Sequence, residues 1–187
     1  MSARVDVLVE GYVGERVGSS VTLLRDGNTV AIIDPGMVAS RSAILDPLAA
    51  LGVDVGEVTD VLISHHHPDH TINIALFPDA KVHDYKTTYV NDIWDTRAEG
   101  DFVLSSSITL TQTPGHTSED ATTLVHTESG LVVLTHLWWK ADGPADDPYA
   151  PSRDQLRSQR QRILDLGPTL IIPGHGAPFV PNEETPI

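Results

Sequence analysis

The chain has no cysteine, only three lysines, and few aromatic residues, 5% in all. Without cysteine there is no disulfide, no thiolate metal ligand and no thiol nucleophile. Positive charge is scarce: 12 basic against 26 acidic side chains leave a formal net charge of -14 at pH 7. That balance repels a phosphate backbone, so nucleic acid is disfavoured as a partner. The one basic cluster, Arg153, Arg157, Arg160 and Arg162, is expected to decorate a helix surface. No apolar run approaches the length of a membrane span, and no charged segment leading into an apolar stretch opens the chain. A soluble cytoplasmic protein is therefore expected. With 187 residues and no Gly/Ser-rich or Pro-rich linker, a single domain over 1–187 is expected. A homo-oligomer remains compatible with these residues.

Histidine is plentiful, with nine in the chain, and its placement is informative. Ser64-His65-His66-His67-Pro68-Asp69-His70 follows the apolar run Val61-Leu62-Ile63. Side chains two apart in extended backbone point the same way, so His65 and His67 converge on one ion. Asp69 and His70, after the bend at Pro68, aim at a second position beside it. His66 points away and reads as a spacer. A purification tag would be terminal and would lack the internal Asp. Imidazole and carboxylate suit zinc, with iron or manganese also possible.

Three later histidines each follow an apolar or β-rich run and adjoin turn residues. They are His116 in Thr113-Pro114-Gly115-His116-Thr117, His136 after Leu131-Val132-Val133-Leu134-Thr135, and His175 in Ile171-Ile172-Pro173-Gly174-His175-Gly176. A glycine beside such a residue lets the backbone turn sharply at a strand end.

In this order the motifs resemble those of the metallo-β-lactamase-fold superfamily: H-x-H-x-D-H, a later P-G-H-T and a final G-H. Ile33-Asp34-Pro35-Gly36 is similar to the family's early D-x-G turn. The resemblance spans nearly the whole chain and implies a four-layer α/β/β/α sandwich. It further implies that His65, His67 and His116 hold one metal, and Asp69, His70 and His175 another. The family's bridging Asp is replaced here by His136. A neutral imidazole offers one lone pair and cannot bridge without losing its remaining proton. Three arrangements stay open: two metals with His136 on one of them, a single occupied site, or a His136 that binds nothing. The position of His136 at the end of a strong strand run favours its being a ligand. Asp34 is a candidate acceptor for the outer N-H of a ligating imidazole, a role compatible with its other reading as a turn-former before Pro-Gly.

Periodicity supports mixed α and β structure. Strands are expected at Val5–Val9, Ser20–Leu24, Thr29–Ile33, Asp60–Ser64, Lys81–His83, Ile108–Gln112, Ala121–His126 and Leu131–Thr135. Turns are expected at Arg25–Asn28 and Glu128–Gly130. Helices are expected over about Ser40–Leu51, with Ile44, Leu45 and Leu48 on one face, from Asp69 to Leu76, and over Arg153–Leu166 with Leu156, Ile163 and Leu166 facing the core.

Adjacent cations, or one with an open position, lower the pKa of bound water toward neutrality. The expected activity is hydrolysis by metal-bound hydroxide of a small ester, thioester, lactone or related acyl substrate. Asp69 orients the hydroxide and shuttles a proton to the leaving group. Trp138 and Trp139 are candidates for an apolar substrate wall, although a Trp pair serves as often in a core or an oligomer contact. Tyr85, Lys86, Tyr89 and Trp94 are candidates for the opposite rim, and 141–151 for a mobile loop at the mouth. A phosphodiesterase or ribonuclease of the same fold, a mononuclear iron sulfur dioxygenase, and a non-catalytic metal-binding module are the alternatives.

Overall fold

The computed structural model describes residues 2–98 and 100–187. The first half alternates apolar residues with period two and forms β1 (Arg4–Val9), β2 (Val21–Asp26) and β3 (Thr29–Ile33) as an antiparallel meander. Helix α1 (Ser42–Ala50) and β4 (Asp60–Leu62) follow, then the short helix α2 (Pro68–Thr71). β5 (Lys81–His83), β6 (Thr87–Val90) and β7 (Ile93–Thr96) complete a seven-stranded sheet in the order β1 to β7. β3, β4 and β5 are parallel neighbours.

The second sheet is built from β8 (Phe102–Val103), β9 (Ile108–Gln112), β10 (Ala121–Thr127) and β11 (Gly130–Thr135), then, after helix α3 (Arg153–Asp165), β12 (Leu170–Pro173). Its order is β12-β11-β10-β9-β8, with β11 and β12 parallel.

Strand alternation sorts the apolar residues into layers. Leu24, Ile33, Leu62, Leu134 and Ile172 face inward and join the two sheets in one core cluster. Their chain neighbours Leu23, Ile32, Val61, Val133 and Ile171 face outward. The first three pack with Ile44 and Leu48 of α1, and the last two with Leu156 and Ile163 of α3. The result is the α/β/β/α sandwich. Pro47 lies inside α1, where it removes one helical hydrogen bond. The burial of Ile44 and Leu48 holds the helix together despite that loss.

Several expectations are corrected. Leu166 lies just past α3 and is 48% exposed, because the chain has already left the face that α3 lays on the sheet. Arg160 belongs to that buried face, fully enclosed, and does not decorate the surface with Arg153 and Arg157. The helix expected from Asp69 to Leu76 is broken into α2 and a single 3-10 turn at Ile74–Leu76. The hairpin β6–β7 was not expected, although Thr87-Thr88-Tyr89-Val90 and Ile93-Trp94 flank an Asn-Asp turn with Asn91 at φ 54°. Among the described residues no helix is long and apolar enough to cross a membrane.

Candidate metal centre

The site is made by strand ends. β3 leads to Asp34, β4 to the His65–His70 segment, β9 to His116, β11 to His136 and β12 to His175. β3 and β4 run together, and so do β11 and β12; β9 points the same way as β11 because each is antiparallel to β10. Residues far apart in sequence are thereby delivered to one edge of the sandwich, where loops carry function on a rigid frame.

The imidazoles form a cluster. Ring centroids of His136 lie 4.7 Å from His65, 4.7 Å from His70, 4.1 Å from His116 and 4.9 Å from His175. Ligand atoms of His65, His116 and His136 lie within 4.8 Å of one another, as do those of His70, His136 and His175. His67 Nδ1 is 3.2 Å from His116 Nε2. Asp69 Oδ2 is 3.5 Å from His70 Nε2 and 3.6 Å from His175 Nε2. The six residues of the expected ligand sets and His136 are therefore brought together.

Burial, reinforced by neighbouring imidazoles, holds His65 and His136 well below the usual histidine value. Burial also lowers His67 and His175. Neutral imidazoles carry the lone pair that a cation requires.

The outer nitrogens have partners. His70 Nδ1 meets Asp34 Oδ2 at 2.8 Å, His116 Nδ1 meets Asp147 Oδ2 at 2.7 Å, and His175 Nδ1 donates to the Gly18 carbonyl at 3.0 Å. His65 Nδ1 lies 3.0 Å from the Ser64 hydroxyl. Such contacts fix the tautomer and aim the opposite nitrogen. Those opposite nitrogens, His65 Nε2 and His70 Nε2, are buried without a hydrogen-bond partner, and so is His136 Nδ1. Orphaned buried nitrogens are costly unless an ion completes them. Two nitrogens on one tetrahedral zinc stand about 3.4 Å apart, given Zn–N distances near 2.0–2.1 Å. The His67–His116 pair, at 3.2 Å, is close to that separation; His136 Nε2 stands 3.1 Å from His175 Nε2, and a neutral His136 offers a cation one of its two nitrogens, not both. The residues fit a divalent cation.

Above the cluster lies a cavity of about 380 Å³. Val13 and Val17 of the β1–β2 loop, Pro68, Trp139 and Tyr149 supply its apolar wall. Trp139 is thus where it was expected. Trp138 is not: it is fully buried with Val133, Leu156 and Ile163, and its indole donates to the Pro186 carbonyl at 2.7 Å. Consecutive residues after β11 face opposite ways, so only one of the pair reaches the cavity. Tyr85, Lys86, Tyr89 and Trp94 do not line it; Trp94, on the edge strand β7, is 75% exposed. The valines of the β1–β2 loop occupy the place given to them.

His66 is directed away, with Nε2 3.1 Å from Asp84 Oδ2. The segment 141–151 is fastened through Asp147 and through Arg160, which donates to the carbonyls of Pro144 and Ala145. Asp147 and Tyr149 were missed because an Asp/Pro-rich stretch reads as a surface loop. Asp147 carries no motif signal, while Tyr149 is a lone aromatic in such a stretch. At Asp120, burial pushes the carboxyl up to about 6 despite hydrogen bonds from Thr117.

Strand-end histidines, a carboxylate and a walled cavity on an α/β/β/α frame make a candidate metal centre open to a small molecule. Comparison with known proteins agrees. Residues 14–86 match the model of the metallo-β-lactamase superfamily. Metallo-β-lactamase domain-containing protein 1 of Xenopus laevis is 34% identical over 194 residues, spanning 94% of this chain and 80% of that protein. The mouse protein of the same name is 33% identical over 180 residues, spanning 90% and 68% respectively. A metallo-β-lactamase family protein of Thermus thermophilus superposes with a TM-score of 0.73 at 19% identity, over 94% of this chain and 74% of that one. An N-acyl homoserine lactone hydrolase, with N-hexanoyl-L-homoserine bound at its catalytic metal centre, superposes with a TM-score of 0.70 at 17% identity, over 93% and 92%. The chain belongs to the metallo-β-lactamase superfamily, and it is a metal-dependent hydrolase of that fold.

Proposed function

We propose that the protein, acting as one domain, is a zinc hydrolase of small acyl substrates: esters, thioesters or lactones. The observation that carries this reading is the wall of the cavity. Its lining is valine, proline and aromatic rings above histidine and aspartate, with no lysine or arginine among the described residues. Such a surface suits a neutral acyl group and gives a phosphodiester no basic side chain to pair with beyond the metal itself. The likeness to a lactone hydrolase agrees with the same substrate class.

His65, His67 and His116 form one ligand set; Asp69, His70 and His175 form the other, with His136 between them. Zinc held by these residues would supply Lewis acidity toward a carbonyl oxygen and would acidify a water toward neutral pH. Asp69 lines the cavity beside His67, so its carboxylate is placed to hold the proton of the attacking water and deliver it to the departing oxygen or sulfur. Trp139 and Tyr149 cover the acyl group and exclude bulk water. A cytoplasmic setting belongs to the same reading.

The test is turnover of a panel of acyl esters, thioesters and lactones against a phosphodiester, with metal content from elemental mass spectrometry. Acyl hydrolysis with a pair of zinc ions bound, abolished in His67→Ala and Asp69→Ala, is the expected result. Preferential turnover of the phosphodiester would overturn it.

A further inference from the structure

We propose that Asp147 is a positioning residue that joins a metal ligand to the substrate wall, setting the tautomer of His116 while fixing Trp139 and Tyr149. The substrate half of this statement rests on the hydrolase reading; the metal half does not.

Asp147 is 3% exposed and makes three contacts. Its Oδ2 accepts the Trp139 indole N-H at 2.8 Å and lies 2.7 Å from His116 Nδ1. Its Oδ1 accepts the Tyr149 backbone N-H at 2.9 Å. An indole N-H and a backbone N-H only donate, so both oxygens act as acceptors. With Oδ2 already accepting the indole N-H and Oδ1 the backbone N-H, the carboxylate meets His116 as an acceptor, so His116 carries its proton on Nδ1. The Nε2 lone pair is then directed at the cluster, where it faces His67 Nδ1.

The same carboxylate organises the wall. Trp139 and Tyr149 stack with centroids 5.9 Å apart and planes 26° from parallel. Both rings also lie near His116, at 5.9 and 5.5 Å. Arg160 holds the start of the loop through Pro144 and Ala145, which leaves Asp147 as the tie at the cavity end. Zinc binding and substrate contact thus depend on one side chain that touches neither zinc nor substrate.

An asparagine at 147 presents one oxygen and one N-H₂. Turned so that the amide takes the place of Oδ2, it keeps the Tyr149 N-H and sets N-H₂ against both Trp139 and His116, which favours the Nε2-H tautomer and removes the ligating lone pair. Turned the other way, its neutral oxygen still accepts from both but without the carboxylate charge that strengthens His116 as a ligand, and the amide opposes the Tyr149 N-H.

The test combines three proteins. In metal-free wild type, long-range ¹H–¹⁵N NMR should show His116 protonated on Nδ1. In Asp147→Asn, zinc affinity measured against a competing chelator should fall about 10- to 100-fold. Trp139→Phe removes the indole donor and part of the ring but leaves the Asp147–His116 contact, and should leave zinc affinity close to wild type. KM for an acyl substrate should rise in both variants. An Nε2-H tautomer in wild type overturns the proposal whether or not Asp147→Asn folds. So does wild-type zinc affinity in a folded Asp147→Asn, or an equal loss in Trp139→Phe. Absence of acyl turnover by wild type would count against the hydrolase reading and leave the NMR and zinc results intact.

Discussion

Asp34 Oδ2 stands 2.8 Å from Nδ1 of His70, while Oδ1 of the same carboxylate accepts the Ser64 N-H at 2.6 Å. One side chain therefore ties the end of β3 to both ends of the ligand segment. It does so from a backbone φ of 48°, in the left-handed region that Asp tolerates better than alanine. Asp34→Ala removes both contacts and adds backbone strain, a loss of about 3 kcal/mol. Chemical denaturation of the metal-free protein measures it, and an unchanged midpoint would show the tie to be dispensable.

Gly174 presses against the ring of His136. A Cβ there meets Nε2 at 2.8 Å and Cδ2 closer still, while the Gly174 N-H is held by the Trp138 carbonyl at 3.0 Å. The backbone cannot retreat without losing that bond, so Gly174→Ala displaces the imidazole. Bound zinc per chain, by elemental mass spectrometry, is expected to fall. Full zinc content would mean that His136 holds none.

Acid should destabilise the metal-free protein early. His65 and His136 have folded values depressed below 6.5 by burial, so the unfolded chain binds their protons first. Stability is complete above about pH 6.5 and falls as pH drops toward the depressed values, by about 1.4 kcal/mol per pH unit for each histidine. Melting temperatures from pH 8 to 5 test the sign. Zinc should flatten the profile at its upper end by holding the imidazoles neutral.

Arg160 is buried in α3 and donates to Leu137 at 2.8 Å and Pro144 at 2.7 Å, and burial lowers its pKa to about 10. Arg160→Met leaves those carbonyls without a donor and should cost about 3 kcal/mol. The loop carrying Asp147 should loosen with it, seen as faster proteolysis between 141 and 151.

The core was legible where one residue type repeats at a fixed period. Leu23-Leu24, Ile32-Ile33 and Ile171-Ile172 each put one side chain on either face of a sheet, so both faces read as apolar. β6 and β7 carry a readable signal in Thr88-Tyr89-Val90 and the Asn91-Asp92 turn. The Trp138-Trp139 pair shows the opposite limit. Its composition announces burial or a wall, and only the direction of the chain after β11 assigns one ring to each.

The sequence by itself determined the candidate ligand types and their local geometry, because H-x-H-x-D-H spacing at a strand end sets which imidazoles point together. It also determined the family, through ordered motifs, and the apolar alternation of both sheets. Only the tertiary structure decided which distant groups meet: Asp34 with His70, Asp147 with His116, and the β1–β2 loop with the cavity. Such pairings depend on strand order and direction across two sheets. A buried carboxylate in a loop has no period or neighbour in the chain that records its partner.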